Sequence, residues 1–200
     1  STDVLGALIE RVSGQTLDIF LAERVTKPLG MRDTGFWVDT AQQSRIAEPF
    51  DSDPDTKAPA RVPDVRKQPR FLSGGGGMVS TAPDYLRFSQ MLLNGGELDG
   101  VRILSRKTVD LMTSDQLGSA IARRPAYFPG PGYGFGFGVQ VRIAPGEAAS
   151  LGSVGDYGWP GAYGTTFFVD PKERLTVIWM MQRPNLSANV PVWRRMRSVV

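Results

Sequence analysis

Trp159-Pro160-Gly161-Ala162-Tyr163 lies between a glycine-rich turn beginning at Gly155 and a strand-forming run, Thr165 to Val169. Glycine adopts backbone conformations that a side chain forbids, so Gly158, Gly161 and Gly164 can bring main chain close to a ligand ahead of a strand. The stretch reads as an active-site edge strand. An attacking group is harder to find. The 200 residues contain no His and no Cys, which excludes Ser-His-Asp and Cys-His catalysis, His or Cys metal sites, disulfides and CxxC redox chemistry within this chain. No metal or other cofactor is implied. Gly-x-Ser-x-Gly is absent, because Leu151 stands two positions before Ser153.

The elements that must carry this stretch are legible from composition and period. A hydrophobic content of 41% in 200 residues is enough to bury a core, which excludes a disordered chain. The 23 Lys and Arg are scattered among 20 Asp and Glu, so no nucleic-acid partner is expected, and Arg194, Arg195 and Arg197 read as a solvated helix face. No apolar run approaches the length of a membrane span, and the chain opens at Ser1 with neither an initiator Met nor a signal-peptide pattern; a signal peptide would precede Ser1, so the compartment is unknown, with the cytoplasm as default.

Val4, Leu5, Leu8, Ile9 and Val12 follow helical spacing behind Thr2 or Asp3 and stop at Ser13-Gly14. Thr16 is the expected cap of a second helix carrying Leu17, Phe20, Leu21 and Val25. Residues 40–70, with five prolines, form a long irregular loop, either a border of a pocket or a surface excursion. The glycine run from Gly74 to Gly77 lacks the Lys of a phosphate loop, so close backbone packing accounts for it better. Thr81 precedes a helix with Tyr85, Leu86, Phe88, Met91 and Leu92, and Ser105 caps another. Tyr133 to Val141 alternates large and small residues and reads as one strand, while Leu175 to Met181 reads as a strand buried on both faces. A helix from Val190 closes an α+β order in which helices flank an antiparallel sheet.

Four stretches resemble the serine β-lactamase and penicillin-binding-protein-like family, and in particular carboxylesterases with the class C β-lactamase fold. They are residues 1–15, Pro28-Leu29-Gly30-Met31-Arg32-Asp33-Thr34-Gly35-Phe36, residues 74–85 and residues 155–170. In that family a Ser-x-x-Lys motif supplies nucleophile and base, a tyrosine motif supplies a second proton carrier, and a triplet on an edge strand faces the nucleophile. A Lys or Tyr whose pKa is lowered by positive charge and desolvation can take the serine proton without histidine.

Carried over, the resemblance matches the triplet to Trp159-Pro160-Gly161. Gly161 would let substrate lie against the strand, and the Ala162 N–H would be one oxyanion donor. Trp159, where a β-lactamase carries Lys, points to the esterase branch; Pro160 departs from the glycine usual there. Tyr163 and Asp156 flank this stretch, and Tyr127, Phe128 and Tyr133 are candidate walls of an acyl or alcohol pocket, with packing as the alternative. None of the five lysines has Ser three positions before it, so Ser-x-x-Lys is absent, and the chain is expected to be the C-terminal portion of one domain whose nucleophile, lysine and tyrosine precede Ser1. The function implied is a serine carboxylesterase acting on a small-molecule ester through an acyl-enzyme. A β-lactamase or D-amino-acid peptidase of the same fold, and a non-catalytic binding protein, are the alternatives.

Overall fold

The computed structural model describes residues 2–118 and 130–199. The chain divides into two compact units, residues 1–88 and 89–200.

In the first unit, helix α1 (Thr2–Ser13) ends where Gly14 turns to φ 72°. Helix α2 (Leu17–Leu21) continues directly into one π-helical turn, Ala22–Thr26. Thr16 occupies the cap position, but its hydroxyl accepts nothing from the helix. The Leu17 N–H donates instead to the Glu10 carboxylate, 2.9 Å away on α1. Glu10 thus satisfies the first N–H of the helix, which the Thr16 side chain would not reach, and the expected Thr16 cap bond is not made. The loop 40–70 is irregular as expected, apart from a 3-10 helix at Thr40–Arg45 and a bridge between Ser52 and Pro59.

The glycine run packs backbone against backbone, since a Cβ at Gly74 would lie 2.5 Å from the Thr2 carbonyl oxygen. Asp3 secures the contact by accepting from the Ser73 hydroxyl at 2.7 Å and the Gly75 N–H at 3.0 Å. Farther along, two of the strings singled out in the sequence meet. Asp84, in helix α3 (Ala82–Leu93), accepts from the Asp33 N–H at 2.7 Å and the Thr34 hydroxyl at 2.9 Å, while Gly35 and Val79 exchange backbone bonds of 3.1 and 2.8 Å. The apolar stripe of α1 is not core in this unit. Gly6 is the buried residue of the helix, Val4 is 69% exposed and Val12 79%. Leu5, Leu8, Ile9 and Val12, with Ser13 and Phe20, line an open groove of about 260 Å³.

In the second unit, α3 ends in a glycine cap: the Gly96 N–H reaches the Met91 carbonyl at 2.8 Å and the Gly95 N–H the Leu92 carbonyl at 3.0 Å. Strands β1 (Glu97–Leu98) and β2 (Val101–Arg102) form a hairpin over Asp99-Gly100, both at positive φ (50° and 78°) as a mirror-image two-residue turn requires. Ser105 caps α4 (Arg106–Met112) as expected, accepting from the Thr108 N–H at 3.0 Å.

The stretch expected as one strand, Tyr133 to Val141, is two: β3 (Tyr133–Phe135) and β4 (Gln140–Arg142), paired antiparallel. Between them the Gly136 N–H bonds the Val139 carbonyl at 2.8 Å and the Phe137 N–H bonds the Met112 carbonyl at 2.9 Å, so the alternation of large and small residues conceals a turn held by α4. With β5 (Tyr157–Pro160), β6 (Thr166–Asp170) and β7 (Leu175–Trp179) these strands form an antiparallel sheet in chain order, and α5 (Leu186–Arg197) follows. The β6–β7 turn occurs where Asp170-Pro171 predicts it, with Asp170 accepting from the Lys172 and Glu173 N–H groups at 3.1 and 3.2 Å. Strand β7 differs from expectation: it is the last strand, half-buried, with Trp179 40% exposed. Arg197 also departs from the expected solvated face, its side chain being only 9% exposed. Among the described residues no helix is long and apolar enough to cross a membrane.

Candidate functional site

Trp159 and Pro160 end β5, the middle strand in the order of the sheet rather than the edge expected from sequence. Its register with β4 covers Tyr157 and Gly158, whereas its register with β6 runs from Tyr157 through Pro160. The strand therefore runs past β4 at the end that carries Trp159. The Trp159 ring meets Phe135 edge-on, with centroids 5.3 Å apart at 71°.

Between β5 and β6 the chain reverses at Gly161-Ala162-Tyr163-Gly164. The Gly161 N–H donates to the Thr165 carbonyl at 2.7 Å, and the Gly164 N–H donates back to the Gly161 carbonyl at 3.1 Å, closing a four-residue turn. Ala162 is thus in the turn, not on the strand, and is exposed. A trans peptide points its C=O and N–H in opposite directions. With the Gly161 C=O held inward by Gly164, the Ala162 N–H faces outward, and among the described residues it has no hydrogen-bond partner. An outward, uncommitted N–H on a braced turn can donate to a developing oxyanion.

The bracing comes from behind. The Tyr163 carbonyl accepts from the Arg183 N–H at 2.7 Å, and the Gly164 carbonyl accepts from the indole Nε1–H of Trp193 at 2.9 Å. Fully buried Asn189 donates through Nδ2 to the Arg183 carbonyl at 2.9 Å. Gly164 sits at φ 96°, and a Cβ there would lie 2.6 Å from Met181 Cγ, so this position requires glycine. Sequence reasoning missed Asn189, Trp193 and Arg183. The available signal was the four-residue spacing of Asn189 and Trp193, which sets both on one face of α5.

Two expected site residues lie elsewhere. Asp156 has no exposed surface and sits between two guanidinium groups, with its Oδ2 accepting from Arg142 Nε at 2.7 Å and from Arg197 NH1 at 3.1 Å. Arg142, also fully buried, donates in addition to the Ser150 and Leu151 carbonyls at 2.8 Å each. Its guanidinium lies 5.0 Å from the Tyr133 ring centroid, and that of Arg197 lies 4.1 Å from Phe168. Asp156 therefore ties β5 to β4 and α5 instead of facing substrate. Tyr133 likewise is core, its hydroxyl 3.1 Å from Ser150 Oγ. Tyr127 and Phe128 lie outside the described residues.

Burial pushes the Tyr85 phenol up to about 12 and the Tyr157 phenol higher still. Both stay protonated at neutral pH, so neither suits the role of a proton-accepting tyrosine. Among the described residues, Trp159 and Pro160 end a strand and Gly161 to Gly164 form the turn that follows it.

An antiparallel sheet with flanking helices and this braced strand end define an α+β domain of the β-lactamase-like fold. The family model described as Beta-lactamase matches residues 1–200, and the chain belongs to that family, one of serine hydrolases. It is 39% identical over 196 residues to an uncharacterized protein of Mycobacterium tuberculosis, covering 94% of this chain and 49% of that protein. It is 31% identical over 220 residues to the esterase EstB of Burkholderia gladioli, covering 99% of this chain and 52% of EstB. Among solved structures, EstCE1, described as a hydrolase with promiscuous acyltransferase activity, superposes with a TM-score of 0.80 at 28% identity, over 98% of this chain and 54% of that one. The chain spans about half the length of these relatives.

Proposed function

We propose that the chain forms the substrate-receiving part of a serine carboxylesterase that cleaves small-molecule esters through an acyl-enzyme. The observation that carries this reading is the outward Ala162 N–H, on a turn directly after Trp159-Pro160-Gly161, in a chain 31% identical to an esterase. In this role Trp159 and Gly161 flank the ester, Pro160 leads into the turn, Tyr163 lies within it, and the Ala162 N–H stabilises the tetrahedral oxyanion. These 200 residues hold no Ser-x-x-Lys, so the reading assigns the nucleophile and its base to the part of the relatives' length that this chain does not span. The nucleophile attacks the ester carbonyl, the alcohol leaves, and water then releases the acid from the acyl-enzyme. Trp159 in place of a Lys favours a neutral ester over a substrate whose carboxylate needs a cation.

The test is hydrolysis of p-nitrophenyl acetate and butyrate against a chromogenic cephalosporin by the full-length protein. Ester turnover without cephalosporin turnover is expected; the reverse would sink the esterase reading in favour of a β-lactamase. Loss of neither on replacing the serine of an upstream Ser-x-x-Lys would remove the acyl-enzyme altogether.

A further inference from the structure

Trp193 is 8% exposed, and its indole N–H makes a 2.9 Å bond to the Gly164 carbonyl, twenty-nine positions earlier in the chain. Gly164 is also the residue whose N–H holds the Gly161 C=O at 3.1 Å. The Gly161 C=O belongs to the same peptide plane as the Ala162 N–H, so rotation of that plane is governed by Gly164. Gly164 is in turn held on three sides: by Trp193 at its own carbonyl, by the Arg183 N–H at the preceding carbonyl, and by Met181 and Asn189 packed where a Cβ would stand. Arg183 is itself tethered by Asn189, one helical turn before Trp193 on α5.

We propose that Trp193 is a positioning residue for acyl transfer, its indole N–H setting the direction of the Ala162 oxyanion donor through Gly164 and the Gly161 carbonyl. The proposal rests on the reading of Ala162 as that donor. The bond differs from ordinary core packing because it terminates on the backbone of the turn rather than on a side chain. Without the indole N–H, the Gly164–Thr165 peptide loses its fixed orientation and the Gly161–Ala162 plane gains freedom to rotate. A donor aimed where charge develops must be in place before the reaction, so looseness there lowers kcat more than it weakens substrate binding. α5 thereby acts on the site from behind, touching no substrate.

Three variants of the full-length protein, assayed on p-nitrophenyl butyrate, test this. Ala162→Pro deletes the outward N–H at a turn position that accommodates proline, and a kcat loss on the order of 100-fold is expected. Trp193→Phe removes the indole N–H with part of the ring, while replacement of Trp193 by β-(3-benzothienyl)alanine removes the N–H alone and keeps the shape. For the isostere, kcat falls on the order of tenfold while KM stays within about twofold, the signature of an interaction realised in the transition state. The thermal midpoint and far-ultraviolet circular dichroism of the isostere stay at wild-type values. An isostere with unchanged kcat overturns the proposal, and so does a loss of activity that tracks loss of folded protein or falls on KM. If Ala162→Pro itself leaves kcat unchanged, the donor assignment fails and the role of Trp193 fails with it. If Ala162→Pro is inactive and the isostere fully active, the positioning role alone is wrong.

Discussion

Residues 1–88 tie their two signature strings together through neutral donors on Asp84, whereas residues 89–200 tie sheet and closing helix together through two cations on Asp156. Both carboxylates are buried, at 7% and 0% exposure. Asp84 takes a backbone N–H and a hydroxyl, groups whose desolvation is modest. Asp156 takes Arg142 and Arg197, whose charges are costly to strip of water and, among the described residues, pair with no second anion. Two buried aspartates in one chain thus differ in what their removal leaves behind: neutral donors at Asp84, buried cations at Asp156.

Deletion of each acceptor separates the two arrangements. Asp156→Ala leaves Arg142 buried without its counter-ion and is expected to destabilise the protein by about 3–5 kcal/mol in urea unfolding. A cost under about 1 kcal/mol would mean that the Ser150 and Leu151 carbonyls alone satisfy Arg142, and the contrast would vanish. Asp84→Ala orphans the Asp33 N–H and leaves the Thr34 hydroxyl the Ser80 hydroxyl, 2.7 Å away, with an expected cost of about 1–3 kcal/mol in the same measurement.

The smallest effect is silent at neutral pH. Tyr85 in the first unit and Tyr157 in the second both have phenols raised by burial, Tyr85 from 10.0 to about 12 and Tyr157 further. A folded-state pKa above the unfolded value favours the protonated fold, so this contribution is complete below pH 10.0 and is lost as pH rises through about 12. Alkaline absorbance titration of the folded protein should show Tyr85 ionising late and Tyr157 later, or only on unfolding. Ionisation of all five tyrosines near pH 10 would contradict the packing around both rings.

Much of this architecture was legible in the chain. Gly14 and Ser105 mark helix ends by local geometry, Asp170-Pro171 marks a hairpin, and the two strings that meet at Asp84 signal the family. The failures share one cause, a distant group overriding a local signal. Glu10 rather than Thr16 supplies the side-chain acceptor at the start of α2, the Met112 carbonyl helps hold a turn in an apparently continuous strand, and Arg142 and Arg197 draw Asp156 inward. In the candidate site, Trp159 to Tyr163 could be named from the sequence because they are contiguous, while the supporting Trp193 could not.

Residue identity alone set the chemical limits of this chain: no histidine, no cysteine, no Ser-x-x-Lys, and a glycine-bearing turn ahead of a strand. Those follow from residue identity and from short-range backbone preference, which need no partner. Tertiary structure alone decided that Ala162 lies in the turn with its N–H outward, and that Asp156 faces two arginines rather than solvent. Both depend on hydrogen bonds and ion pairs whose partners stand apart in the chain, and local spacing carries no information about which of many possible partners the fold brings within 3 Å.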